Sequence, residues 1–74
     1  MNEHLEVAIT EKLPRSSGEV IETVLFQVAR IREKGLHSYI NETEDGGAVV
    51  VSVDGTHHVE IGPDGNLRSP SAVL

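Results

Sequence analysis

The stretch Ala48-Val49-Val50-Val51-Ser52-Val53-Asp54-Gly55-Thr56-His57-His58-Val59-Glu60-Ile61 holds two β-rich runs on either side of Asp54-Gly55, and the fold turns on how it pairs. Asp-Gly between such runs is the chemistry of a two-residue type I′ hairpin, whose central residues both take positive φ. That turn sets Val53 opposite Thr56, Ser52 opposite His57, Val51 opposite His58, Val50 opposite Val59, Val49 opposite Glu60 and Ala48 opposite Ile61. Opposed residues share a face of the sheet. One face therefore carries Ala48, Val50, Ser52, His57, Val59 and Ile61, and the other carries Val49, Val51 and Val53 beside Thr56, His58 and Glu60. The first is apolar in both strands and is the side a helix should cover. The second is left open.

Working outward, residues 36–41 read as a strand, joined to the hairpin by the polar loop Glu42-Thr43-Glu44-Asp45-Gly46-Gly47. With Leu36 and Ile40 pointing inward, His37 and Tyr39 join the open face. Downstream, Gly62-Pro63-Asp64-Gly65-Asn66 makes a second turn, and Leu67-Arg68-Ser69 a short edge strand. Upstream, Val20, Ile21, Val24, Leu25, Val28 and Ile31 recur at helical spacing from Ser17 to Lys34. Ser16 stands three residues before Glu19, the spacing of a capping box, and Gly35 follows the basic last turn as the residue suited to the left-handed end of a helix. Leu5, Val7 and Ile9 alternate with Glu6, Ala8 and Thr10, which predicts a first strand over residues 4–10.

The expected fold class is α+β, a two-layer sandwich in the order β-α-β-β-β with one helix on a mostly antiparallel sheet. Residues 1–69 form one domain in this reading and residues 70–74 a flexible tail. At 74 residues, a chain buries only about 60% of its unfolded surface, and one core of this size supplies roughly 3 to 5 kcal/mol. The sequence has no Cys, so neither a disulfide nor a thiolate zinc site can add to that. Self-association can.

Twelve Asp and Glu against six Lys and Arg give a net charge of −6, a field that repels phosphate backbones and anionic lipid. No direct nucleic-acid or membrane partner is expected. No apolar run approaches the roughly 20 residues of a membrane span, and no leader-like segment opens the sequence, so a cytoplasmic location is expected. On that expectation the glycosylation pattern Asn41-Glu42-Thr43 is discounted.

The groups able to carry chemistry are the four His, the Ser residues and the acidic loop. His57 and His58 are adjacent on a strand and point to opposite faces, so they cannot share an ion, and no His-x-x-x-His spacing exists. No metal and no cofactor are expected. No activated nucleophile is apparent, and Ser16 and Ser17 are explained as helix caps. Glu42, Glu44 and Asp45 fall in a solvated loop where burial does not tune a carboxylate toward catalysis. The glycine clusters precede no helix and form turns rather than a phosphate cradle.

The expectation is a small acidic non-enzymatic protein-interaction module, homodimeric, with no catalytic residues. Its face of His37, Tyr39, Val49, Val51, Val53 and His58 meets a second copy or another protein, and Glu42, Glu44 and Asp45 steer it toward basic partners. Two other accounts of the Val strip stay open: bare β-propensity on an exposed strand, and a bulge that turns the strip inward. The module would act as a regulator or inhibitor of a partner, including one that handles nucleic acid. In composition it resembles the small acidic proteins that block such machinery, the anti-CRISPR class among them, although no residue motif carries that resemblance. The alternatives are a ligand-binding or catalytic domain using His residues at a dimer interface, and a surface adapted to high salt.

Overall fold

A computed structural model describes residues 3–68. Two helices, α1 (Glu3–Lys12) and α2 (Gly18–Glu33), precede four strands, β1 (Ser38–Glu42), β2 (Ala48–Ser52), β3 (His58–Ile61) and β4 (Leu67–Arg68). The strands form one antiparallel sheet in the order β1-β2-β3-β4, a simple meander. The fold is α+β with the helices packed on one face of the sheet, in the order α-α-β-β-β-β rather than the expected β-α-β-β-β. The edge strand predicted at Leu67-Arg68 is present, while Ser69 and the predicted tail over 70–74 lie outside the described residues.

Residues 3–12 are helical where alternation predicted a strand. Leu5 and Ile9 satisfy both periods, because a spacing of four repeats in a strand and closes one turn of a helix. Leu13 breaks the tie. It stands four residues after Ile9, just past the helix end, and both side chains are only 1% exposed, whereas Val7, which a strand would have buried with them, is 57% exposed. Pro14 disfavours helical backbone at Leu13 and stops α1 there.

The predicted stripe of α2 is buried at Val20, Val24, Val28 and Ile31, with Ile21 and Leu25 packed partly against it. The cap sits one residue later than the Ser16–Glu19 spacing suggests: Ser17 is the N-cap, and its Oγ accepts from the Val20 backbone N–H at 3.4 Å. At the other end Gly35 takes φ 79°, its N–H donates to the Arg32 carbonyl at 2.9 Å, and the Leu36 N–H donates to the Ile31 carbonyl at 3.3 Å. This double closure needs a left-handed residue after the helix, which only glycine supplies at little cost.

The β2–β3 register matches the sequence pairing at Ala48–Ile61, Val49–Glu60, Val50–Val59 and Val51–His58. The turn differs from the type expected. Among the described residues positive φ occurs only at glycines, so Gly55 has φ 79° but Asp54 stays in ordinary backbone, and the type I′ expectation fails. The Gly55 N–H instead donates to the Ser52 carbonyl at 3.0 Å, and Ser52 N–H meets the His57 carbonyl at 2.9 Å, closing a longer connection. The reason lies in the Asp54 side chain. Its Oδ1 accepts from Ser52 Oγ (2.7 Å), Thr56 N (3.0 Å) and Thr56 Oγ1 (2.8 Å), which rewards the open geometry.

Candidate functional site

The register builds the outer face of the sheet rung by rung. Tyr39 pairs with Val51 and Val51 with His58 in one rung; Asn41 pairs with Val49, Val49 with Glu60 and Glu60 with Arg68 in the next. Val53, whose N–H donates to the His37 carbonyl at 2.9 Å, closes the margin. On the inner side Ala48, Val50, Ser52 and Ile61 are buried beneath the helices. Both helices contact this one side, so nothing among the described residues lies over the other. The molecule is correspondingly thin, with extents of 37 × 29 × 15 Å.

On the outer face Tyr39 is 64% and Val53 48% exposed, Val49 and Val51 are half-buried by their neighbours in the sheet, and His58 is exposed. No bulge turns the Val strip inward, since β2 pairs residue for residue on both flanks. His58 lies on this face as the pairing predicted. His57 does not, and its Nδ1 lies 3.1 Å from Thr56 Oγ1. His37 precedes β1 and lines a cleft under α1, while its carbonyl accepts from Val53 at the margin of the open face.

The acidic residues assigned to this face are placed differently. Glu42 pairs with Ala48 and shares its inward side. Its Oε2 accepts from the Arg15 backbone N–H (2.8 Å) and from Ser16 Oγ (2.9 Å), and its Oε1 from Arg15 Nε (3.2 Å). Glu42 is thus the latch that holds the α1–α2 connection to the sheet. Desolvation works against its charge, but the bonds from Arg15 and Ser16 outweigh it and hold the carboxyl below its ordinary value. Ser16, expected as a cap, serves this latch instead.

Asp45 organises its own turn, accepting from Thr43 Oγ1 and from the Gly47 N–H (3.1 Å) and pairing with Arg68 at 2.9 Å. The Thr43 bond first, then Gly47 and Arg68, lower its carboxyl to about 2. Glu44 is exposed at the tip of the turn. Sequence reasoning missed the Glu42 latch because its partners lie 26 and 27 residues away, a contact that only the tertiary path of the chain creates.

Among the described residues no three of His, Cys, Asp and Glu come together as metal ligands do, and no helix is long and apolar enough to cross a membrane. Compared with protein families, curated proteins and solved structures, the chain matches none of them.

Proposed function

We propose that this chain is a non-enzymatic interaction module whose open sheet face pairs with a second copy of itself. The observation that carries this is the one-sided layering: the helices bury Ala48, Val50 and Ile61 while Tyr39, Val49, Val51 and Val53 form an apolar strip that no element among the described residues covers. Strips of this kind on small proteins serve as contact surfaces. A two-fold pairing brings the same patch from each copy together and adds buried area that a single short chain lacks. A module of this kind works by occupying a partner, as a regulator or inhibitor, and needs no catalytic group.

Light scattering over a concentration range tests the reading by comparing the native protein with Val51→Glu. Val51 sits in the middle of the central rung, flanked by Tyr39 and His58, and is only half-buried, so the variant is expected to fold, which circular dichroism checks. A native dimer that becomes a folded monomer on substitution is the expected result. A native monomer overturns self-association, and a dimer untouched by the substitution moves the interface off this face.

A further inference from the structure

A second feature, independent of the open sheet face, lies under α1. A cleft of about 200 Å³ runs between α1, the end of α2 and β1, lined by Leu5, Ile9, Val28 and Ile40 along its apolar walls and by Lys12, Arg32 and His37 among its polar ones. The charge pattern is what sets it apart. The chain carries twelve Asp and Glu, yet among the described residues none lines this cleft. The neighbouring depression between α1 and α2 is lined by Glu6, Glu19 and Glu22. Arg15 and Arg68 are neutralised by Glu42 and Asp45, whereas Lys12 and Arg32 form no ion pair among the described residues. Two uncompensated cations from different helices therefore border one apolar cleft in a protein whose overall field is negative.

We propose that this cleft binds a small organic anion, a monocarboxylate with a short unbranched hydrocarbon body. Leu5, Ala8 and Ile40 offer the accessible apolar surface that takes the hydrocarbon, over a floor of buried Ile9 and Val28, and the cationic rim takes the carboxylate through charge-assisted hydrogen bonds. At about 30 Å³ per water molecule the volume of about 200 Å³ has room for a body of medium length, and any further length would lie in solvent. An inorganic anion gains nothing from Leu5, Ile9, Val28 and Ile40. A neutral alkane or alcohol leaves Lys12 and Arg32 without a counter-charge.

The test is a titration of the whole chain with octanoate, followed by amide-resolved NMR, with acetate and 1-octanol as the two half-ligands. Saturable shifts at Leu5, Ile9, Val28 and Ile40 with octanoate, and weaker binding of either half-ligand, are expected. The pair Lys12→Gln and Arg32→Gln, both at exposed positions, should weaken octanoate about tenfold while leaving the melting temperature in place and 1-octanol binding unchanged. Equal affinity for octanoate and 1-octanol, shifts that map elsewhere, or a double variant that binds octanoate as tightly as the native protein would overturn the proposal. Because the cleft lies on the helix side of β1, none of these results bears on the sheet-face reading.

Discussion

Exchanging Ile9 for Val and Val7 for Ala, each alone, separates the two conformations open to residues 4–10. In α1 Ile9 is 1% exposed among Leu13, Val28 and their neighbours, and Val7 is 57% exposed. Ile9→Val removes one methylene from a packed site and should lower stability by about 1 kcal/mol. Val7→Ala acts on a solvated helix position, where the change stays within about 0.5 kcal/mol and the better helix propensity of Ala favours the variant. For a domain of this size 1 kcal/mol corresponds to about 4–8 °C in Tm. Thermal melts by circular dichroism, run at one protein concentration because Tm depends on concentration for any chain that self-associates, should therefore show a clear fall for Ile9→Val and none for Val7→Ala. A strand would bury Leu5, Val7 and Ile9 together. A fall for Val7→Ala as large as that for Ile9→Val would refute the helical assignment and the packing drawn from it.

Three further outcomes follow from single sites. A Cβ at Gly47 would lie 2.1 Å from the Ile61 carbonyl oxygen, so Gly47→Ala should unfold the chain or lower its Tm sharply, while Gly18→Ala, with open space around it at the start of α2, should leave Tm unchanged or raised. Ser52 is 2% exposed, donates to Asp54 and accepts from the His57 N–H at 3.0 Å, so Ser52→Ala leaves the half-buried His57 N–H without this partner and should cost about 1 kcal/mol in urea unfolding. Asp54, held chiefly by Ser52 and then by Thr56, and Asp45, held chiefly by Thr43, are both lowered to about 2 from an ordinary 3.8. Groups depressed on folding stabilise above their unfolded value, so this contribution is complete above about pH 4 and drains as the pH falls toward 2. Unfolding followed against pH should lose part of that acid sensitivity in Asp45→Asn and Asp54→Asn.

The β2–β3 pairing was legible because Val59 and Ile61 alternate with His58 and Glu60, so the face apolar in both strands is the one that meets the core, and a slip of one residue would have set His58 and Glu60 beside Ala48 and Val50. The buried stripe of α2 was equally legible, since six apolar residues repeat over about three turns, from Val20 to Ile31. Residues 4–10 were not. Seven residues with apolar positions two apart fit either period, and the residue that decides, Leu13, stands beyond the stretch and next to a proline. The turn at Asp54 was misread for a different reason: dipeptide preference describes the backbone alone, and here the carboxylate gathers three donors that the preference does not count. Of the residues assigned to the open face, Tyr39, Val49, Val51 and His58 lie where alternation puts them. Glu42 does not, because the loop after β1 begins one residue later than its polar sequence suggested, and the last strand position points at the α1–α2 connection.

The most direct measurement of the sheet-face claim is a dilution series followed by amide-resolved NMR. On concentration the signals of Tyr39, Val49, Val51, Val53 and His58 should shift together along one binding curve while those of the helices stay still. Signals that do not move with concentration, or that move on α1 and α2 instead, would contradict it.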